Sequence, residues 1–155
     1  MAEIVKGAPY AKPMTIATGV VDALRELGVK KLVVGTPYID EVNTAEAGFL
    51  LEKGFEVLDI QGLNLTTGLE FGCVTPAYWT KFALEIDQSD ADAIFLSCSG
   101  IRSLEVIDEI EALTGKPVIT SNQAQMWSCL RRAGIKDKIS GFGQIFSKPG
   151  NSLQP

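Results

Sequence analysis

The chain has 155 residues, 46% hydrophobic and 21% charged, with a formal net charge of −5, three cysteines and no histidine. This suits one compact domain with a real core, and scattered Lys and Arg argue against a nucleic-acid partner. No apolar run approaches the roughly 18 residues that span a bilayer and the start MAEIVKGAPY lacks the apolar centre of a signal peptide, so no membrane partner and a cytoplasmic location are expected.

In chain order, residues 1–13 carry no clear periodicity and are expected to form a flexible extension. In 15–27, Ile16, Val20, Val21, Leu24 and Leu27 share a helical face, and Gly28 is a natural stop. The run KKLVVGTPY (30–38) then predicts a strand. Segment 41–53 predicts a weaker helix with Val42, Ala45, Phe49 and Leu50 inward, followed by a strand in GFEVLDIQGL (54–63). Thr75 and Pro76 open a helix over 76–87 with Trp79, Phe82, Ala83 and Ile86 as its stripe. A strand in ADAIFLSCSG (91–100) precedes a helix over 103–114 that buries Leu104, Ile107, Ile110 and Leu113. A last strand in GKPVITSN (115–122) leads into a helix over 122–133 with Trp127 and Leu130 inward, and SKPGNSLQP reads as a flexible tail.

Short strands that are apolar on both faces, alternating with helices, predict an α/β fold. The expected architecture is a small doubly wound, mainly parallel four-stranded sheet with helices on both faces, a Rossmann- or flavodoxin-like lobe. The expected organisation is a single lobe over 14–146 with extensions at 1–13 and 147–155.

Ligands in such folds bind beyond the carboxyl ends of the strands. Those ends carry Thr36-Pro37-Tyr38, Gly62-Leu63-Asn64, Ser97-Cys98-Ser99-Gly100 and Thr120-Ser121-Asn122, although strand ends need turn formers and helix caps in any case. For Thr120 to Asn122 the capping role is the favoured reading. Cys98 has two. Just before a helix start, it faces free N–H groups and a dipole that favour thiolate, and Arg102 could add charge or grip a carboxylate. Alternatively it is a small apolar residue finishing a strand. Cys73, in a loop before a capped helix, and Cys129, inside a helix near its core face, read as structural.

The remaining motifs exclude more than they assign. No CxxC pair occurs and histidine is absent, so no metal, zinc included, and no disulfide framework is expected. CSGIR is too short to be a phosphatase loop, and GFG does not follow a strand and open a helix as a dinucleotide fingerprint would. Without histidine there is no Ser-His-Asp set. Asp40, Glu41, Asp108 and Glu109 lie on helix faces where solvation is the default.

The stretches MTIATGVVDALRELGVKKLVVGTPYIDEVN, TTGLEFGCVTP, DAIFLSCSGIRSLEVIDEIEALTGKPVITSNQAQMW and GFGQIF resemble the aspartate/glutamate racemase superfamily. Their resemblance is to its arylmalonate decarboxylase and maleate cis-trans isomerase branch. It runs over roughly residues 13 to 146 and corresponds to the second of that family's two lobes. The resemblance implies cofactor-free chemistry at carbon next to a carboxylate. Cys98 stands at the family's catalytic cysteine, which protonates an enediolate in the decarboxylases and acts within a cysteine pair in the isomerases. Tyr38, with Thr36 in the same motif, stands where the substrate carboxylate is bound. The N–H groups of Ser99 and Gly100 would bind carboxylate oxygens. Gly68 replaces an asparagine of the isomerases, which locally favours the decarboxylase pattern.

The first lobe, with its part of the substrate pocket, has no counterpart in this resemblance. Three functions follow. One is an isomerase or decarboxylase of small carboxylates, completed by a homodimer or by a first-lobe partner. The second is a non-catalytic truncated binding module of the same family. The third, a flavodoxin-like cofactor carrier, rests on fold alone.

Overall fold

The computed structural model describes Gly7, residues 13–151 and Leu153; the rest of the expected N-terminal extension lies outside the described residues. Helix α1 (Ile16–Glu26) leads into strand β1 (Lys31–Thr36), α2 (Asp40–Glu52) and β2 (Glu56–Gly62). A short α3 (Gly68–Cys73) and α4 (Pro76–Ile86) precede β3 (Ala93–Leu96). A 3₁₀ turn (Leu104–Val106), α5 (Ile107–Thr114), β4 (Val118–Thr120), α6 (Ser121–Arg132) and a second 3₁₀ turn (Gln144–Ser147) complete the chain. The fold is α/β, with a four-stranded, all-parallel sheet in the order β2-β1-β3-β4.

Strand residues alternate between two cores, as the pleat requires. Leu32, Val34, Ala93, Phe95 and Ile119 pack against α1 and α6, with Val20, Leu24 and Trp127 fully or almost fully buried. Val33, Ile94, Leu96 and Val118 pack on the opposite face against Trp79, Phe82 and Ile86 of α4 and Ile107 and Ile110 of α5. Each fully buried large apolar side chain contributes about 1.5–3 kcal/mol relative to exposure, which makes the two stripes the main source of stability. Helices α1 and α6 approach closely because residue 19 is glycine: a Cβ there would lie 2.9 Å from Gln125 Cα.

The structure departs from the sequence reading in α2 and α5. The stripe of α2 is rotated: Val42 is 42% exposed and Ala45 is exposed, whereas Asn43 and Leu50 are buried. Polar partners decide this, since Asn43 Oδ1 accepts from the Thr36 hydroxyl at 2.6 Å. Leu113 is exposed because α5 is shorter than expected and opens with a 3₁₀ turn that shifts its register. In the tail, the Lys148 carbonyl accepts from Trp127 Nε1 and Arg131 Nε, and Gly150 N–H donates to Glu26 Oε1 at 3.0 Å. No helix among the described residues is long and apolar enough to cross a membrane.

Candidate active site

The chain leaves β1 through α2 toward β2 on one side, and leaves β3 through α5 toward β4 on the other. Adjacent strands whose connections diverge open a crevice between their carboxyl ends. Tyr38 follows β1 and Cys98 follows β3, so the topology brings them to opposite lips of one crevice. There a cleft of about 250 Å³ is lined by Tyr38, Glu46, Ser97, Cys98, Ser99 and Ser121, with Ile16, Val20, Phe49 and Phe95 among its apolar walls.

Cys98 is buried, at 7% exposure, and its φ is +149°, a region that L-residues rarely adopt and that costs on the order of 1–3 kcal/mol. Two hydrogen bonds hold this conformation. The Cys98 N–H donates to Ser121 Oγ at 3.1 Å, and the Gly100 N–H donates to Cys98 Sγ at 3.2 Å. The sulfur therefore meets a backbone donor two residues on. The expected helix start at 103 does not meet it, because α5 begins only at Ile107.

Tyr38 shares the cleft with Cys98. Burial first, then interaction with the Cys98 side chain and the charge of Glu46, hold its phenol well above the ordinary range, which keeps it a donor. Its position is set from three sides. Its N–H donates to Thr36 Oγ1 at 3.1 Å, and Phe71 of α3 packs edge-on with ring centroids 5.6 Å apart. Gly62 lets β2 pass close beneath, since a Cβ there would overlap the Tyr38 carbonyl oxygen and lie 2.5 Å from Asn43 Nδ2.

Glu46 reaches into the cleft from α2 and accepts a hydrogen bond from the Ser97 hydroxyl. Burial pushes its carboxyl above the usual range, while the Ser97 bond pulls the other way.

Tyr38, Cys98 and Ser99 thus share the cleft. Thr36 does not reach it, being fully buried with its hydroxyl engaged by Asn43 and the Tyr38 N–H. Gly100 serves the sulfur through its N–H. The Ser99 carbonyl takes Asn122 Nδ2 at 3.0 Å, and among the described residues the Ser99 N–H has no acceptor. Arg102 pairs with Glu105 at 3.1 Å and is not among the residues that line the cleft.

The other thiols lie apart. Cys73 is exposed at the end of α3 and borders a depression with Leu63 and Tyr78; the expected loop is a short helix. Cys129 is exposed, not on the core face of its helix, and opens onto a separate apolar groove of about 600 Å³ with Met126 and Phe142. Leu63 belongs with Cys73, so the four strand ends do not all meet at one site. Among the described residues no group of three or more Cys, Asp or Glu side chains is placed to hold a metal ion.

Sequence reasoning missed Glu46 and Phe71, and it favoured Ser121 only as part of a cap. Glu46 follows Asn43 by three positions and precedes Leu50 by four, the spacing of the true buried face, but two polar residues on that stripe hid it. Phe71 rides on α3, whose Thr67-x-x-Glu70 capping box was a readable signal: Thr67 Oγ1 accepts from the Glu70 N–H, and the Glu70 carboxylate accepts from the Thr67 N–H at 2.8 Å. Thr120 does cap α6, while the next residue, Ser121, reaches Cys98.

Comparison with known proteins bears on this geometry. The family model described as arylmalonate decarboxylase matches residues 4–146. Arylmalonate decarboxylase of Bordetella bronchiseptica is 34% identical over 137 residues, 86% of this chain and 57% of that protein. Maleate isomerase of Alcaligenes faecalis is 28% identical over 135 residues, 86% of this chain and 53% of that one. The crystal structure of a maleate isomerase variant from Pseudomonas putida S16 with maleate superposes with a TM-score of 0.88 at 27% identity, covering 94% of this chain and 59% of that one. A crystal structure of arylmalonate decarboxylase superposes with a TM-score of 0.78 at 34% identity, covering 85% and 59%. The chain spans 53–57% of the length of these two curated relatives, about one lobe. It belongs to the arylmalonate decarboxylase/maleate isomerase family of the aspartate/glutamate racemase superfamily.

Proposed function

We propose that this chain carries the thiol half of a cofactor-independent enzyme acting on a small carboxylate of malonate or maleate type. The facing half of the site is not among these residues, which span 53–57% of the length of two curated relatives. The observation that carries this reading is the arrangement of Cys98: its sulfur receives the Gly100 N–H at 3.2 Å in a cleft that it shares with Tyr38.

In the malonate case the substrate's C–C bond breaks, carbon dioxide leaves, and the electron pair remains as an enediolate. The Cys98 S–H then gives its proton to that carbon. The Gly100 N–H faces the charge left on sulfur until solvent returns a proton. Tyr38, kept protonated, donates to a carboxylate oxygen, and the Ser99 N–H, which has no acceptor among the described residues, is a second donor for it. Neither Cys73 nor Cys129 lines this cleft, so a cysteine pair would need its second thiol from the facing half of the site.

Carbon dioxide release from phenylmalonate and conversion of maleate, each compared between the wild type and Cys98→Ala, test the reading. The expected loss in the variant is about 10²–10⁴-fold. Undiminished turnover in that variant would remove Cys98 from the mechanism.

A second reading, a carboxylate-binding module without turnover, is supported by the absence of any Lys or Arg among the described residues that line the cleft. Thermal stabilisation by dicarboxylates with no product under any condition is its signature.

A further inference from the structure

Among the described residues Glu46 is the one carboxyl that lines the Cys98 cleft, so a carboxylate ligand bound there shares the cleft with it. Its placement is built. Ser97, next to Cys98 in the chain, donates its hydroxyl to Glu46 Oε1, while the Ser97 N–H is tied to the Gly35 carbonyl at 2.9 Å. Among the described residues no donor reaches the second Glu46 oxygen, and Ile16, Val20, Phe49 and Leu50 surround the cleft with apolar surface. Among the described residues no cation lines the cleft. Two ionised carboxylates brought together there would repel each other without a countercharge, whereas one proton between them converts repulsion into a hydrogen bond.

The other titratable groups at the cleft are Tyr38 beyond β1 and Cys98 beyond β3. From the packed helices, α1 contributes Ile16, Ala17 and Val20, α2 contributes Phe49 and Leu50, and α6 contributes Ser121, none of them titratable. Tyr38 keeps its proton throughout the neutral range, which leaves Glu46 as the carboxyl able to share one with a ligand.

We propose that Glu46 couples ligand uptake to a proton: the cleft takes a small carboxylate together with one proton, held between the Glu46 carboxyl and a ligand carboxylate oxygen. This rests on the carboxylate reading of the cleft and adds the protonation state in which the ligand is accepted.

The test is calorimetric titration of the full chain with phenylmalonate, at a series of pH values and in buffers of different ionisation heat. Wild type, Glu46→Gln, Cys98→Ser and Ser97→Ala are compared; the ligand's own titration is common to all four. The wild type is expected to take up about one more proton per bound ligand than Glu46→Gln, and to lose up to about tenfold in affinity per pH unit once Glu46 is ionised. Glu46→Gln removes that dependence, and Cys98→Ser retains it. Ser97→Ala, which deletes the one hydroxyl that favours the ionised form, moves the midpoint of the affinity loss to higher pH. It serves as the independent check where Glu46→Gln fails to fold.

Equal proton uptake in wild type and Glu46→Gln, loss of the dependence in Cys98→Ser alone, or an unmoved midpoint in Ser97→Ala each overturn the proposal while the carboxylate reading stands. A wild type that binds no phenylmalonate at any pH overturns both.

Discussion

The two ends of the sheet treat polar groups in opposite ways. At the amino end, Asp92 Oδ2 accepts the N–H groups of Lys30 and Lys31, both at 2.8 Å, and ties the start of β1 to the entry of β3. Nearby, Lys116 Nζ pairs with Asp87 at 2.7 Å, with side chains only 17% and 22% exposed, and also donates to the Gln88 carbonyl. The bonds from Lys31 and then Lys30 hold the Asp92 carboxyl below its ordinary range. At the carboxyl end, Glu46 has one hydroxyl donor and burial drives its carboxyl the other way, while Cys98 sits at a φ of +149°. One end uses its polar groups to close the structure. The other leaves hydrogen-bonding capacity unspent and holds a strained residue in place, as expected where the partner is a ligand.

The largest stability change should come from crowding the carboxyl end. Gly62→Ala places a methyl group against the Tyr38 carbonyl and Asn43, and is expected to cost about 1–3 kcal/mol, read as a lowered urea midpoint with an unchanged slope. An unchanged midpoint would mean that β2 and the Tyr38 turn are free to separate.

Next comes the strain itself. Cys98→Gly and Cys98→Ala both remove the sulfur, but only glycine adopts a positive φ without penalty. The glycine variant should therefore be more stable than the alanine variant by about 1 kcal/mol. The reverse order in equilibrium unfolding would show that the backbone relaxes once the sulfur is gone.

The smallest effect belongs to the amino end. Asp92→Asn keeps an acceptor but removes an exposed and screened charge, for an expected loss of about 0.5–1 kcal/mol at neutral pH. Because the folded carboxyl lies below its ordinary value of 3.8, its contribution is complete above that pH and lost as pH falls through the folded value. Wild type and variant should then converge in acid. A gap that widens on acidification would contradict the assignment.

Much of this was legible in the residues. The α1 stripe of Val20, Val21 and Leu24 and the α4 stripe of Trp79, Phe82 and Ile86 lie buried where their spacing put them, because long amphipathic repeats leave one way to cover the apolar face. The stripe of α2 misled. Asn43 and Glu46 look solvated by type, and only the Thr36 and Ser97 hydroxyls waiting on the sheet make their burial favourable. Arg102 misled in the other direction, since it pairs locally with Glu105 and does not line the cleft.

The sequence by itself determined the alternation of strands and helices, the doubly wound topology and the candidacy of Cys98 at a strand tip. These follow from local periodicity, chain connectivity and, for the cysteine, resemblance. Tertiary structure alone decided which groups from other elements gather around that residue. The Ser121 hydroxyl on its backbone, Tyr38 across the crevice and Glu46 lining the same cleft from α2 are set by strand order and side-chain pairing between elements remote in sequence. Such pairings leave no periodicity to read, because each depends on a partner that only the packed sheet supplies.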